Sequence, residues 1–168
     1  MSLIKFSLVI SFLLIFISCD KESEKTEINQ IPNIDFKGLD NLNYNFINYS
    51  NNDKDLLLFG FATWCGYSRR QLPIILKVDS FLSDKVVIVG LDCSNVDDTV
   101  NINGFIKRYN IRFPVTKIFW NKKIDALLFP DSVYSFPRLL LISRRFGKVY
   151  SQVGFDNSSY DSILYYVK

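Results

Sequence analysis

The chain has 168 residues, about the length of a single domain, and its net charge of +3 comes from scattered basic residues, which excludes the concentrated basic surface that nucleic acids require. Apolar residues make up 48% and charged residues 22%, a balance that supports a buried core and excludes general disorder. With no histidine and three cysteines, the sequence excludes histidine-based triads, zinc fingers and zinc hydrolases and leaves thiol, carboxylate and hydroxyl chemistry.

The N-terminal segment of the sequence predicts that the protein is exported from the cytoplasm. Lys5 precedes an apolar run from Phe6 to Ile17, which is short for a membrane span and typical of the apolar core of a signal peptide. The run leads into Phe16-Ile17-Ser18-Cys19, which resembles the lipobox of bacterial lipoproteins, where the signal is cut before a cysteine that carries the lipid. We therefore expect residues 1–18 to be a signal peptide and Cys19 to be lipidated; an uncleaved anchor and a secretory signal with an incidental cysteine are the alternatives.

A charged segment follows the predicted lipid site. Asp20 to Gln30 has no apolar periodicity, so residues 19–32 are interpreted as a lipidated cysteine and a solvated tether, and residues 33–168 as the folded domain. Two or more acyl chains hold a protein on a membrane. The sequence therefore predicts a membrane-anchored lipoprotein of the cell envelope whose domain lies outside the cytoplasm.

The domain begins with several predicted strands. Residues 33–49 alternate loosely around glycine and asparagine, which favours a short strand or hairpin ahead of the main sheet. Asp55 to Phe61 and Val86 to Leu91 are continuous apolar runs, typical of strands buried on both faces of a parallel sheet. Arg138 to Ser143 and Lys148 to Val153 predict an antiparallel hairpin, in which a glycine just before the second strand, Gly147, takes the positive φ of the turn.

Apolar residues at helical spacing predict the helices. Pro73 stands inside the first of them, so we expect a bend there. The predicted helices are Tyr67 to Leu82, Asn101 to Tyr109, a short one from Ile124 to Phe129, and a last one capped by Asp156 or Asn157 that ends near Val167. Strands and helices thus alternate before the hairpin, which predicts an α/β domain with a central mixed sheet flanked by helices and a short N-terminal β extension.

One cysteine stands where a buried strand leads directly into a helix. Because Cys65 precedes the helix that begins near Tyr67, the positive end of the helix dipole and the unpaired N–H groups favour its thiolate. Arg69 and Arg70 add positive charge one turn further on. The sequence therefore predicts that Cys65 is a nucleophile near neutral pH.

The residues around this cysteine resemble the TlpA/ResA-like group, the membrane-tethered thioredoxin-fold thiol-disulfide oxidoreductases of the bacterial envelope. The matching residues are Ala62, Thr63, Trp64, Cys65, Arg69 and Pro73. The resemblance extends over residues 33–160 and implies a thioredoxin-like fold, in which Pro137 is a cis-proline beside Cys65 and the backbone next to it pairs with an extended substrate segment. The supporting residues of the site would be Trp64, Gly66, Tyr67, Arg69 and Phe136.

Three positions depart from the pattern of this group. Ser68 stands where the second active-site cysteine is found, Phe59 where an acidic or amide residue is common, and Gln71 where a helix glutamate is common. A resolving thiol and a buried carboxyl group for proton transfer are therefore both missing. A standard dithiol reductase cycle is not expected.

Cys93 is a candidate redox partner. It follows the strand Val86 to Leu91, and parallel strands end at one edge of a sheet, so a disulfide with Cys65 is one interpretation and a buried core cysteine is the other. The string Cys65-Gly66-Tyr67-Ser68 also resembles monothiol glutaredoxins, which hold an iron-sulfur cluster with glutathione, but the flanking residues follow the first group, so no cofactor and no metal are expected. Asp97-Asp98 is interpreted as the solvated start of a helix.

Two hypotheses of function follow. In the first, Cys65 alone attacks or holds disulfides and thiols of exported proteins or peptides, with Ser68 donating a hydrogen bond to the thiolate. In the second, the thioredoxin scaffold is redox-inactive, and the groove beside Pro137 binds an extended peptide or an envelope partner.

Overall fold

The computed structural model describes residues 30–51 and 53–167. The predicted signal peptide 1–18, Cys19 and most of the tether 19–32 lie outside the described residues. Within the described ranges, no helix is both long and apolar enough to cross a membrane. The elements in chain order are β1 (Asp35–Lys37), β2 (Asn43–Asn45), α1 (Phe46–Tyr49), β3 (Asp55–Phe61), α2 (Gly66–Phe81), β4 (Val86–Asp92), α3 (Thr99–Tyr109), β5 (Val115–Lys117), a 3-10 turn (Ile118–Trp120), α4 (Lys122–Leu128), β6 (Arg138–Ser143), β7 (Gly147–Val153) and α5 (Ser159–Tyr166).

A five-stranded mixed sheet in the order β5-β4-β3-β6-β7 forms the centre of the domain. Strands β3, β4 and β5 run parallel, β6 pairs antiparallel with β3, and β7 pairs antiparallel with β6. Gly147 has φ 71° at the predicted hairpin turn. The predicted mixed sheet and its N-terminal extension, the β1-β2 hairpin, are therefore confirmed.

Both faces of β3 are buried, which explains its continuous apolar sequence. Leu57, Phe59 and Phe61 belong to the core on the face covered by α2 and α3, whereas Leu56 and Leu58 belong to the core on the face covered by α4. Each such side chain contributes about 1.5–3 kcal/mol by leaving water. This double burial fixes the end of β3, from which the chain enters α2.

The predicted helices are present, including one that contains Pro73, with boundaries shifted by one or two residues. Helix α2 continues through Pro73, which is exposed like Arg69 four residues earlier, so water can satisfy the carbonyl that the proline leaves without a partner. The predicted cap of the last helix, Asp156 or Asn157, is wrong by one or two residues. Ser158 is the N-cap of α5, and Asp156 instead accepts hydrogen bonds from the Ser158 amide and hydroxyl at 2.8 and 2.9 Å.

Candidate functional site

Cys65 is the N-cap residue of α2. Its amide donates to the Ala62 carbonyl at 3.1 Å, and its carbonyl accepts from the Arg69 amide at 3.1 Å, so the turn between β3 and α2 is held at both ends. The side chain is partly exposed and does not cap the helix. The partly exposed cysteine therefore lies at the N-terminal end of α2, where the helix dipole is positive.

The loop before β6 lies against this sulfur. The Cys65 Sγ approaches the Phe136 carbonyl oxygen at 3.6 Å, and the Phe136–Pro137 peptide bond is cis. The Trp64 indole meets the Phe136 ring edge to face with centroids 5.6 Å apart. The structure thus brings together Trp64, Cys65, Phe136 and Pro137, which sequence reasoning placed in one site.

The surroundings of the sulfur are open and aromatic. Trp64 is 55% and Tyr67 59% exposed, which leaves two large rings facing solvent beside the thiol. A Cβ added at Gly66 would meet nothing within 4 Å, so packing does not require glycine there. A cavity of about 770 Å³ is lined by residues of β1, β2 and α1, and Cys65 is not among them. The geometry suits a macromolecular segment better than an enclosed small ligand.

The two arginines after Cys65 have separate contacts. Arg69 donates through Nη1 to the Thr63 carbonyl at 3.3 Å, which supports the loop that leads to Cys65. The Arg70 guanidinium lies over the Phe155 ring, 4.2 Å from its centroid. Arg69 is therefore the basic residue bound to the active-site loop, and Arg70 packs toward the chain that follows β7.

Among the described residues, Ser68 does not form the predicted hydrogen bond with the Cys65 thiol. It is fully buried, and its hydroxyl oxygen accepts a hydrogen bond from the Ala62 amide at 3.4 Å. No hydrogen bond between Ser68 and Cys65 is found among the described residues. Position 68 lies on the inner side of the first turn of α2, so its hydroxyl supports the end of β3 rather than the thiolate.

Neutral side chains occupy the other two positions that depart from the family pattern. Phe59 is fully buried and stacks on Phe61 with centroids 5.3 Å apart. Gln71 is also fully buried; its Nε2 donates to Ser159 Oγ at 3.0 Å, and its Oε1 accepts from the Asp156 amide at 3.1 Å. These contacts satisfy the buried amide without a charge, so neither position offers a proton-transfer group.

Cys93 is a core thiol. It is 3% exposed, its amide donates to the Phe61 carbonyl at 2.7 Å, and burial raises the pKa of its thiol well above the usual value. It packs in the core on the α4 side of the sheet, whereas α2, which carries Cys65, covers the other side. Both thiols are free. Cys93 therefore fits the interpretation as a buried core cysteine, and among the described residues no disulfide joins it to Cys65.

A polar loop behind the active-site turn escaped sequence reasoning. Asp97, interpreted from sequence as solvated, is 4% exposed, and its carboxylate accepts from the Thr63 amide at 2.9 Å and from the Thr63 hydroxyl at 2.5 Å. Asp98, in contrast, lies at the start of a helix as predicted. It is the N-cap of α3, and its side chain accepts a hydrogen bond from the Asn101 amide at 2.7 Å. The available signal was topological, since β3 and β4 are parallel neighbours and the loops that follow them meet.

The same loop binds Trp64. Ser94 Oγ accepts from the Trp64 indole N–H at 3.0 Å and from the Asp97 amide at 3.1 Å. Asp92, at the end of β4, is fully buried, and its Oδ2 has no hydrogen-bond partner. Burial, together with the neighbouring negative charge of Asp97, raises the pKa of Asp92 to about 7. Among the described residues, no group of three or more potential ligand side chains could hold a metal ion.

Comparison with solved structures identifies the fold. The chain superposes on the thioredoxin domain of a thiol-disulfide oxidoreductase from Bacteroides vulgatus with a TM-score of 0.64 and 15% identity, covering 84% of this chain and 98% of that one. A thiol:disulfide interchange protein of the thioredoxin family from Chlorobium tepidum gives a TM-score of 0.67 at 16% identity, over 83% and 96% of the two chains. A secreted disulfide oxidoreductase of Mycobacterium tuberculosis gives 0.61 at 13% identity, over 79% and 96%.

Sequence comparison alone reaches less far. No family model matches the chain. The chain is 35% identical to the chloroplastic thioredoxin Y1 of Arabidopsis thaliana over 51 residues, which are 30% of this chain and 30% of that protein. The structural matches cover nearly the whole of each solved chain.

Proposed function

Starting from a domain with the thioredoxin fold, which the thiol-disulfide oxidoreductases above share, we propose that the protein exchanges thiols and disulfides of exported proteins or peptides through the single nucleophile Cys65. The observation that carries this proposal is the placement of the Cys65 sulfur. It lies at the N-terminus of α2, partly exposed, 3.6 Å from the Phe136 carbonyl of the cis-proline loop. This arrangement gives a thiolate both stabilisation and a backbone against which an extended chain can align.

The chemistry proceeds by successive exchanges. The Cys65 thiolate attacks one sulfur of a substrate disulfide, a bond forms between Cys65 and that sulfur, and the other substrate sulfur leaves as a thiolate. A second thiolate then attacks the mixed disulfide and releases Cys65. If that thiolate belongs to the substrate, the disulfide is rearranged without net electron transfer. If an external thiolate instead attacks the Cys65 sulfur, the substrate leaves as a dithiol and the external thiol stays on Cys65. A third exchange, in which a second external thiolate forms a disulfide with the first and releases Cys65, completes a two-electron reduction of the substrate.

Ser68 determines how long the intermediate lasts. A cysteine at this position would release the mixed disulfide within the chain, but a hydroxyl cannot act as the resolving thiol. We do not assign this role to Cys93, which is a free core thiol only 3% exposed. Slow net reduction and a long-lived mixed disulfide on Cys65 follow from this arrangement.

The proposed location is the cell envelope, with the domain held at a membrane by a lipid on Cys19. The apolar segment before Cys19 and the charged residues after it support this assignment, and one structural relative is a secreted protein by its own description. In a bacterial host fed radiolabelled palmitate, the wild-type chain should take up label and Cys19→Ala should not. Equal labelling would remove the anchor from the proposal.

A variant pair tests the exchange chemistry. The full chain in mild detergent is incubated with glutathione disulfide and with a protein whose disulfides have been scrambled. We expect Cys65→Ser to lose both the glutathione adduct and the rearrangement activity, and Cys93→Ala to keep both. If Cys65→Ser rearranges disulfides as fast as the wild type, the proposal is wrong.

A second candidate function is a redox-inactive peptide-binding module. The observation that favours it is that neutral, buried residues stand at positions 68 and 71, and that Ser68 and Gln71 form their hydrogen bonds within the fold. In that case, the wild type and Cys65→Ser should bind an extended peptide equally at the Phe136–Pro137 loop, and neither should exchange disulfides.

A further inference from the structure

The turn that presents Cys65 is fixed from behind by one carboxylate. Asp97 accepts both the backbone N–H and the side-chain hydroxyl of Thr63, at 2.9 and 2.5 Å. Thr63 is only two residues before Cys65, and its carbonyl is bound from the other side by Arg69. The position of the turn therefore depends on the side chain of Asp97.

A second carboxyl group is buried beside it with an unfilled hydrogen-bonding site. Asp92 has no exposed surface; its Oδ1 accepts a hydrogen bond from the Ser94 amide at 3.4 Å, whereas its Oδ2 has no partner. Ser94 and Lys117 each contact both residues: the Ser94 hydroxyl accepts from the Asp97 amide at 3.1 Å, and Lys117 Nζ donates to the Asp97 carbonyl and lies 3.9 Å from Asp92 Oδ2. A buried carboxylate oxygen without a donor is costly, and two adjacent buried carboxylates are costlier still. A proton on Asp92 Oδ2, donated to Asp97, removes both costs.

We propose that Asp92 and Asp97 share one proton beneath the Thr63–Cys65 turn and that Asp97 is a positioning residue through which this pair sets the reactivity of Cys65. The inference rests on the proposed thiol chemistry of Cys65. With the proton in place, Asp97 carries one negative charge that Thr63 and Asp92 neutralise by hydrogen bonds. Loss of the proton leaves two buried negative charges behind the turn, which disfavour the Cys65 thiolate and loosen the hold on Thr63.

Few other charges act on the pair. Lys117 on β5 donates to the Asp97 carbonyl and lies 3.9 Å from Asp92 Oδ2, so one ammonium partly offsets the two carboxylates. Directly after β4 the neighbouring ionisable group is the Cys93 thiol, which stays neutral because burial raises its pKa. Burial and the charge of Asp97 raise the pKa of Asp92 to about 7 despite Lys117. The shared proton therefore leaves near neutral pH.

The test is the pH profile of Cys65 alkylation by iodoacetamide in the full chain, between pH 5 and 9, with mass-spectrometric assignment of the modified cysteine. In the wild type, we expect the alkylation rate to rise over a broader pH range than a single ionisation produces. Loss of the shared proton adds a negative charge behind the turn, and this charge disfavours formation of the Cys65 thiolate. In Asp92→Asn, whose amide can donate to Asp97 permanently, the profile should narrow to a single ionisation. Superimposable profiles of these two proteins would overturn the proposal.

Two further variants sharpen the result. Asp98→Asn makes the same chemical change one residue beyond Asp97 at an exposed cap, and it should keep the broad profile; narrowing there would show a general charge effect and contradict the proposal. Thr63→Val removes one donor to Asp97, so the pair should hold its proton more tightly and the broad region should shift to higher pH. An unshifted profile would contradict the shared proton even if Asp92→Asn did not fold.

Because iodoacetamide reads Cys65 without a protein substrate, the outcome is independent of the exchange activity. If the chain fails to rearrange disulfides but shows the broad profile, the proposed function is wrong and the proposed carboxyl pair stands. If the chain rearranges disulfides but shows a narrow profile, the proposed function stands and the proposed carboxyl pair is wrong.

Discussion

At the scale of single residues, Cys65 supplies the proposed reactive thiol, whereas Ser68 cannot resolve the mixed disulfide that this thiol would form. Cys65 is the accessible sulfur at the helix N-terminus, and Ser68, three residues later, is fully buried against the end of β3. Residues three apart at the start of a helix are neighbours, within the separation that a disulfide requires. The backbone is therefore arranged for a two-cysteine site whose second thiol the sequence lacks.

The substitution Ser68→Cys should restore that site. We expect the oxidised variant to carry a disulfide between positions 65 and 68, visible as a mass loss of about 2 Da and as protection of both thiols from alkylation. It should also reduce insulin with dithiothreitol faster than the wild type. Ser80→Cys, which adds a thiol on an exposed part of the same helix, should do neither; a disulfide in this control but not in Ser68→Cys would contradict the geometry.

The sequence placed Cys65 beside the Phe136–Pro137 loop, where the structure also has it, but it misassigned the contacts of Ser68 and Asp97. Cys65 and Pro137 were found because a buried strand before a helix and a family resemblance both point to them. Asp97 was misassigned because its neighbour Asp98 has the ordinary composition of a helix cap, and sequence does not show which of two adjacent carboxylates faces inward. Ser68 was assigned to the thiolate for a related reason: its spacing is right, but its orientation depends on packing.

At the scale of elements, a buried amide network joins α2 to β7 and α5. Gln71 on α2 accepts a hydrogen bond from Gln152 on β7 at 3.2 Å and donates one to Ser159, the first residue of α5, at 3.0 Å. Ser159 in turn donates to Gln152 at 2.6 Å. This closed set of neutral groups holds the helix that carries Cys65 against the C-terminal part of the chain.

A carboxylate at position 71 should weaken this junction. Gln71→Glu loses the donor to Ser159 and buries a group that is charged at pH 7, so we expect the free energy of unfolding to fall by about 2 kcal/mol. Because burial raises the pKa of such a carboxyl in the folded state, the loss should shrink as the pH falls toward 5. Chemical denaturation at both pH values measures it.

The matched control is Asn103→Asp, the same change on an exposed position of α3, which should alter stability by no more than about 0.5 kcal/mol. A Gln71→Glu variant as stable as this control would show that the network does not carry the junction.

The order of strands and helices was predictable because the buried runs of β3 and β4 and the hairpin turn at Gly147 are local signals. The end of the chain was not. The cap at Ser158, and the burial of Ser159 against Gln71, depend on a contact between residues 88 positions apart, and no periodicity reports such a contact.

At the scale of the whole molecule, Asp92 ties stability to pH. Its pKa is raised by burial, and by the charge of Asp97, from 3.8 to about 7. Between these values the folded chain keeps a proton that the unfolded chain has lost, so this group makes the free energy of unfolding fall as the pH rises from 4 to 7, by at most about 4 kcal/mol.

Asp92→Asn should remove that slope. We expect the variant to gain stability relative to the wild type as the pH rises from 5 to 8, measured by urea denaturation at each pH, with the difference between the two proteins isolating this residue. Asp98→Asn should run parallel to the wild type. A constant difference between wild type and Asp92→Asn across the range would show that Asp92 ionises normally in the folded chain.

The central claim is that Cys65 is the working thiol and Cys93 an inert core residue. The most direct measurement is the rate of iodoacetamide alkylation of each cysteine in the folded full chain at pH 7, assigned by mass spectrometry. We expect Cys65 to react about ten times faster than the thiol of N-acetylcysteine, or more, and Cys93 to react only after denaturation. A Cys65 that reacts no faster than N-acetylcysteine, or a Cys93 that reacts as readily in the folded chain, would contradict it.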